Sequence, residues 1–155
     1  MKTLNAQNPL NRDNFVNFTI KGNTYYARPV KNYIGYFVTT CGQVISLIGS
    51  NTTQNRKLDW SNPQILKGKD NGNGYLQVLL YSKSGFSKWH LVHRLVAITH
   101  LEKPNSFIEI GSLQINHLNQ NRKDNHARNL AWTTPAENVK WNVLAKKVAK
   151  ERKNA

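Results

Sequence analysis

The sequence lacks several features that would assign it to a class at once. Cys41 is the only cysteine in 155 residues, so neither an intramolecular disulfide nor a cysteine cage for zinc can form. No apolar run comes near the ~18 residues of a membrane span, and no leader of charged and then apolar residues is present. We therefore expect no membrane association, and the single cysteine favours a reducing, cytoplasmic setting.

Acidic residues are scarce as well. Eight Asp and Glu face 22 Lys and Arg, which gives a formal net charge of +14 and a pI of about 10.1. A positive field of this size attracts polyanions, and nucleic acid is the commonest of them. An anionic membrane would instead require a basic amphipathic helix with a wide apolar face, whereas the basic residues are spread along this chain. Charge and composition therefore predict a folded basic surface that binds nucleic acid.

Alternating apolar and polar residues predict three β-hairpins before residue 92. The segments FVNFTI and TYYARPV flank the turn Lys21-Gly22-Asn23, and YFVTT and QVISLIG flank Cys41-Gly42. In the third hairpin, YLQVLLYS and FSKWHLV flank Lys83-Ser84-Gly85. Residues 49–73 are rich in turn formers and predict a long loop with a short strand around Gln64–Leu66.

Two helices are predicted in the second half of the chain. Helical spacing begins at Val92 and predicts a helix of about ten residues that stops before the next proline. A second helix is expected from Pro135 to about Lys150, because Thr134 suits its N-cap and Glu137 completes a capping box. Between the helices, LQINH and LAWT predict two short strands joined by a polar, asparagine-rich loop.

A set of short motifs follows an order and spacing that resemble one known family. The motifs are VHRLVA at 92–97, NH at 116–117, the N-x-x-x-N spacing of Asn121 and Asn125, NLAW at 129–132, and Asn138. They resemble the HNH nuclease motif, in the branch of phage homing endonucleases that are encoded in or near introns. Upstream, YIGYFVTTCGQVISL at 33–47 resembles the short N-terminal module of these enzymes, and GNGYLQVLL resembles the hairpin before their helix. The resemblance covers roughly residues 30–142.

The resemblance implies an α+β protein in which an N-terminal antiparallel β module precedes a C-terminal ββα-metal nuclease unit. We expect a flexible arm at residues 1–14, a DNA-binding β module at 15–73, the hairpin, helix and nuclease unit at 74–150, and a basic tail at 151–155. Base-specific contacts would come from the N-terminal sheet, lying in the major groove.

For the chemistry, the resemblance implies one divalent cation beside a histidine that deprotonates the attacking water. His117 takes the place of that general base, and Asn116 and Asn138 take the places of metal ligands through their side-chain carbonyl oxygens. Asn129 takes the place of the central asparagine that braces the loop. A histidine titrates near neutral pH and can accept a proton from water, and hard oxygen ligands suit magnesium, with manganese as the alternative. No organic cofactor is expected.

This chain departs from many relatives, which have aspartate in the place of Asn116. Two amide ligands bring no negative charge, so we expect weak metal binding without DNA and a site that the substrate phosphate completes. The departure also keeps a second hypothesis open, in which a decayed site leaves a DNA-binding module without catalysis. A third hypothesis is a basic RNA-binding protein, against which the lack of a stacking-aromatic sheet motif counts.

Several of these residues also have ordinary structural interpretations. His117 alone could be a strand-end histidine bonded to a neighbour, and Asn116 and Asn138 could be a turn residue and an exposed helix residue. Asn121 and Asn125 predict Asx turns without chemistry. We further expect His93 to pack at the start of its helix, His100 and His126 to be surface residues, Trp89 and Trp132 to belong to the core, and Trp141 to be core or interface.

Basic residues of the hairpins and loops form the expected contact set for the phosphate backbone of double-stranded DNA. One of them, Arg94, could either contact phosphate or pair with one of the few acids. A monomer is favoured, and one active site per chain would nick one strand, whereas a double-strand break needs a dimer or two visits. The contact set is Arg28, Lys31, Arg56, Lys57, Lys67, Lys69, Lys83, Lys88, Arg94 and Arg122.

Overall fold

The computed structural model describes residues 15–49, 57–102 and 109–153. The predicted arm at 1–14, Arg56 and the last two residues of the predicted tail lie outside these ranges. Within the described ranges every strand pair is antiparallel. In chain order, one α-helix precedes the last strand pair and another follows it. The predicted α+β class is therefore confirmed.

Five strands form the first sheet, in chain order. β1 (Val16–Ile20) and β2 (Asn23–Pro29) make the first predicted hairpin, and β3 (Tyr36–Thr39) and β4 (Val44–Ser46) make the second. β5 (Gln64–Ile65) pairs with β4, which confirms the short strand expected in the long loop.

A second sheet contains β6 (Lys69–Asp70), β7 (Leu76–Tyr81) and β8 (Ser87–Leu91) in that order. The β7–β8 hairpin is the third predicted one. β6 is not predicted, because two residues among turn formers show no alternation. α1 (Val92–His100) follows β8 directly and confirms the first predicted helix.

The last elements are β9 (Gln114–His117), β10 (Leu130–Thr133) and α2 (Pro135–Lys153), which form the predicted ββα order. The capping box is present, since the Thr134 N–H donates to Glu137 Oε2 at 2.8 Å and the Glu137 N–H donates to Thr134 Oγ1 at 3.3 Å. α2 continues past its predicted end near residue 150. Among the described residues, no helix is both long and apolar enough to span a bilayer.

One hydrophobic cluster connects the three sheets with α1. Val38 of β3, Leu80 of β7 and Val96 of α1 are completely buried in it, and Ile115 of β9 and Leu130 of β10 pack against them. This cluster spans the boundary that we predict between residues 73 and 74, so the two predicted units share a core. The candidate nuclease elements are therefore held by the same apolar packing as the first sheet.

Two tryptophans expected in the core have different environments. Trp132 is half-buried and packs against the main cluster, which confirms the expectation for that residue. The expectation for Trp89 is wrong, because its side chain is 47% exposed and the Lys69 ammonium lies 5.9 Å from its ring centroid. Trp89 pairs across the hairpin with Leu79, and strand alternation places both on the face opposite the buried Val78. Trp141 of α2 is also exposed.

The turn between β3 and β4 packs against the loop between β9 and β10. The Ala127 N–H donates to the main-chain carbonyl oxygen of Thr40 at 2.7 Å. Gly42 has a φ of 83°, and a Cβ atom built there would lie 2.8 Å from Asn125 Cβ and 2.9 Å from the Asn125 carbonyl oxygen. Only glycine therefore fits this turn without displacing the loop.

Substitution of Gly42 should report the strength of this contact, with Gly22→Ala as its matched control. Gly22 has a similar φ of 80° but nothing within 4 Å of an added Cβ. Gly22→Ala should lower the free energy of unfolding by about 1–2 kcal/mol through backbone strain alone. Gly42→Ala should cost about 1–3 kcal/mol more, because its methyl group overpacks the contact. Urea unfolding measures both, and equal losses would show that the contact contributes nothing.

Candidate active site

Asn116 and His117 lie at the end of β9, and both side chains are buried, with 8% and 5% of their surface exposed. Neighbouring residues of a strand point to opposite faces, so both can serve one site only where the strand stops. β9 ends at His117. Across the pair, His117 faces Leu130 and Asn116 faces Ala131, so a small side chain borders Asn116.

Asn138 lies in the first turns of α2 and is held against the same strand. Its Nδ2 donates to Gln114 Oε1 at 2.6 Å. Gln114 and Asn116 are two residues apart on β9 and therefore share a face of the strand. The hydrogen bond thus brings Asn138 to the face that carries Asn116.

The imidazole of His117 contacts two other rings and one amide. Its Nε2 lies 3.0 Å from Asn125 Oδ1. The ring centroids of His93 and Tyr75 lie 5.2 Å and 5.9 Å from that of His117, and 5.0 Å from each other. His93 comes from the first turn of α1 and is buried, as expected, while Tyr75 precedes β7. The His117 ring is therefore enclosed by residues from three parts of the fold.

Asn129 makes the bracing hydrogen bonds that the resemblance implies. Its Oδ1 accepts from the Asn119 N–H at 2.9 Å, and its Nδ2 donates to Asn119 Oδ1 at 2.9 Å and to the Asp124 carbonyl oxygen at 2.8 Å. The Asx turn expected at Asn121 is present, since its Oδ1 accepts from the Lys123 N–H at 3.1 Å.

The expectation for Asn125 is wrong. Its side chain is only 4% exposed and makes the hydrogen bond to His117 instead of an Asx turn. Sequence reasoning missed this residue because asparagine is common in turns, and the only signal for another role is its fixed place in the N-x-x-x-N motif.

The donors at this site suit a hard divalent cation. Amide oxygens of Asn116 and Asn138 are the side-chain ligands available there, and such oxygen donors match magnesium or manganese better than zinc. Asn116 Nδ2 is buried without a hydrogen-bond partner among the described residues, so its amide is not committed through that atom. No group of three or more His, Cys, Asp or Glu in the described ranges could hold a metal ion. A cation here would therefore depend on neutral ligands and on the substrate.

Arg94 is engaged by main-chain carbonyl groups. Its Nη1 donates to the carbonyl oxygen of Leu113 and its Nη2 to that of Ile110, both at 3.1 Å. The guanidinium also lies 6.0 Å from the ring centroid of Trp132. Among the described residues no acid pairs with Arg94, so that alternative is wrong there, and its contact with phosphate stays a prediction. These bonds tie α1 to the turn before β9.

Two more basic residues of the contact set support the fold as well. Arg28 is half-buried, with Nη1 3.5 Å from the Thr99 carbonyl oxygen and its guanidinium 4.4 Å from the Phe15 ring centroid. Arg122 is exposed, and its Nη1 donates to the Asn73 carbonyl oxygen at 2.8 Å beside the Tyr75 ring. The exposed members that remain are Lys31, Lys57, Lys67, Lys69, Lys83 and Lys88, while Arg56 lies outside the described residues.

Two further histidines, one at the end of α1 and one in the loop between β9 and β10, also bond to main-chain groups. His100 is half-buried, and its Nε2 lies 2.8 Å from the carbonyl oxygen of Val38, so the expectation of an ordinary surface residue is wrong. His126 is half-buried, and its Nδ1 accepts from the Arg128 N–H at 3.3 Å. Neither ring is in the His117 cluster.

No family model matches the sequence. Two uncharacterized HNH endonucleases of Acanthamoeba polyphaga mimivirus are similar to it. One is 32% identical over 111 residues, which cover 72% of this chain and 28% of the relative. The other is 27% identical over 123 residues, which cover 79% of this chain and 27% of the relative. The chain therefore spans just over a quarter of the length of these viral relatives.

Among solved structures, the fold is similar to that of the HNH homing endonuclease I-HmuI, from work on DNA binding and cleavage by that enzyme. The TM-score is 0.57 with 28% sequence identity, and the match covers 83% of this chain and 65% of that chain. The structural similarity agrees with the ββα order at the end of the chain. The chain is therefore similar to HNH endonucleases in sequence and to an HNH homing endonuclease in fold.

Proposed function

We propose that the chain is a divalent-metal-dependent DNA endonuclease that hydrolyses one phosphodiester bond to leave 5′-phosphate and 3′-hydroxyl ends. The observation that carries the proposal is the arrangement at the end of β9. A buried histidine, His117, lies beside a buried amide, Asn116, and the first turns of α2 hold a second amide, Asn138, against the same strand. The relatives named as HNH endonucleases support this reading.

Each residue then has one task. His117 accepts a proton from the water that attacks the phosphate. The N-terminal end of α2 attracts phosphate through the positive end of its helix dipole. Asn129 keeps the loop after β9 in one shape through its three hydrogen bonds. A divalent cation, held through the amide oxygens of Asn116 and Asn138, would stabilise charge on the phosphate and on the leaving 3′ oxygen.

Double-stranded DNA is the proposed substrate, and the exposed lysines with Arg122 supply contacts to its backbone. The formal charge of +14 gives such contacts a favourable long-range field. Magnesium is the proposed cation, with manganese as the alternative. One such site on a monomer cuts one strand, so nicking is the proposed outcome.

Removal of the base should abolish cleavage without preventing DNA binding. His117→Ala should lower the cleavage rate by about 10²–10⁴-fold, because general-base catalysis contributes a factor of this size. The assay follows supercoiled plasmid that carries DNA from the neighbourhood of the gene, with magnesium, and the ratio of nicked to linear product tests the single cut. His126→Ala is the matched control in the same loop, since that ring bonds only to the main chain.

Binding without cleavage by the unmodified protein, with magnesium and also with manganese, would contradict the proposed function. It would favour the DNA-binding module with a decayed site, for which the amide at position 116 is the supporting observation.

Metal affinity should respond to charge at position 116. The free protein should bind magnesium weakly in calorimetry, because both proposed ligands are neutral. Asn116→Asp should tighten magnesium binding by roughly tenfold or more, since a carboxylate attracts the cation directly. Asn17→Asp adds the same charge at an exposed site on β1 and should leave the affinity unchanged. Tight binding by the unmodified protein would show that the site does not need the substrate phosphate.

The neutral state of His93 protects the proposed base. Burial, together with the smaller effects of the nearby His117 and Arg94, lowers the pKa of His93 to about 4. A protonated ring 5.2 Å from His117 would oppose the uptake of a proton by His117. At neutral pH the His93 ring is uncharged and imposes no such cost.

Stability should therefore fall with acid in a way that His93 explains. The unfolded chain takes up a proton at His93 near pH 6.5 and the folded chain only near pH 4. Above pH 6.5 the ring is neutral in both states, and His93 does not lower the free energy of unfolding. As the pH falls from 6.5 toward 4, only the unfolded chain takes up this proton, and the free energy of unfolding falls by up to about 3 kcal/mol. Urea unfolding of the unmodified protein and of His93→Gln is measured at pH 7 and pH 4.5. Because His90 and His100 titrate in both proteins, the difference between their losses of unfolding free energy is due to His93. A parallel loss in the two proteins would contradict the assignment.

A further inference from the structure

We propose that Asn125 is a positioning residue for His117, whose side-chain carbonyl oxygen accepts the Nε2–H and so leaves Nδ1 as the atom that takes the proton from water. The inference rests on the proposed function and extends it to a named atom and a further residue. Asn125 Oδ1 and His117 Nε2 are 3.0 Å apart, and 4% and 5% of the two residues' surface is exposed. Water therefore does not compete for this hydrogen bond.

A neutral imidazole has one N–H group and one lone pair, on different nitrogens. When Nε2–H donates to the carbonyl oxygen of Asn125, the lone pair is on Nδ1. A rotated amide would donate from its Nδ2 to Nε2, and Nδ1 would then carry the hydrogen. In that state the lone pair is occupied by the amide, so His117 could not act as a base. Only the arrangement with Oδ1 toward the ring leaves a nitrogen free to accept a proton.

The main chain and Cβ of Asn125 are held from both sides. Behind it, Gly42 leaves no more room than a hydrogen atom requires, since a Cβ there would approach Asn125 Cβ to 2.8 Å. On either side along the chain, the Asp124 carbonyl oxygen accepts from Asn129 Nδ2 and the Ala127 N–H donates to Thr40. The first sheet and the hydrogen bonds of Asn129 therefore hold the segment that carries the Asn125 side chain next to His117.

The proton balance of the step follows from this arrangement. An O–H bond of water breaks, its proton goes to Nδ1 of His117, and the hydroxide oxygen forms a bond to phosphorus as the bond to the leaving 3′ oxygen breaks. The imidazolium keeps its Nε2–H on Asn125. That hydrogen bond becomes charge-assisted at this moment, which makes it stronger and stabilises the protonated base.

Nitrogen-15 NMR of the full chain tests the tautomer without any need for cleavage. Two-bond proton–nitrogen correlations distinguish a protonated Nε2 from a protonated Nδ1. We expect His117 of the unmodified protein to carry its hydrogen on Nε2 when the ring is neutral, and to lose this preference in Asn125→Ala. A hydrogen on Nδ1 in the unmodified protein would overturn the proposal.

Cleavage kinetics test the consequence. Asn125→Ala should lower kcat by about 10–100-fold with DNA affinity unchanged, the range typical of residues that orient a functional histidine. Asn125→Asp keeps an oxygen acceptor and should retain most of the rate. Asn121→Ala is the matched control, because it removes the same side chain from the same loop and breaks only the bond to the Lys123 N–H.

Equal rates for Asn125→Ala and Asn121→Ala would overturn the positioning role. So would an Asn125→Asp protein that is folded by circular dichroism yet as slow as Asn125→Ala. If the unmodified protein cuts no DNA at all, the proposed function fails, while the NMR experiment still decides whether Asn125 sets the tautomer.

Discussion

Hydrogen bonds between amides hold the loop between β9 and β10, and the candidate site depends on them. Apart from the exposed Leu118, this loop has no aliphatic side chain larger than alanine, so apolar burial cannot fix its shape. Asn129 instead connects Asn119 with Asp124. A buried polar group left unpaired costs about 1–3 kcal/mol, so alternative loop shapes that break these bonds are disfavoured. The same rule keeps Asn125 on His117.

The rest of the fold surrounds this loop and makes it part of one body. The first sheet reaches it through Thr40, and the second sheet reaches it through an Arg122 hydrogen bond and a Lys123–Asp70 contact of 3.5 Å. The exposed ion pair contributes little by itself. The shared core beneath both sheets contributes far more, because it contains Val38 and Leu80 as well as Leu130. The surfaces proposed to contact DNA and the proposed base therefore belong to one packed unit.

Local signals in the sequence predict the elements and the principal site residues, but not the contacts between distant segments. The hairpins, the capping box at Thr134 and the placement of His117 follow from patterns a few residues long. Asn125 was missed because whether it forms a turn or meets a histidine depends on the packing at Gly42. Alternation assigns Trp89 to one of two faces without saying which is buried. Arg94 was expected to find a charge, whereas main-chain carbonyl groups are acceptors that no residue type reveals.

The charge balance makes cation binding and DNA binding interdependent under the proposed function. A chain with a formal charge of +14 repels a divalent cation, and Asn116 and Asn138 supply no negative charge to offset this. DNA phosphates reverse the local potential and add oxygen ligands. Because linkage is reciprocal, a cation that binds better beside DNA must strengthen DNA binding by the same factor. An aspartate at position 116 would attract the cation in the absence of DNA and weaken this coupling. Under the proposed function, the amide would therefore confine cation binding to the protein that already holds its substrate.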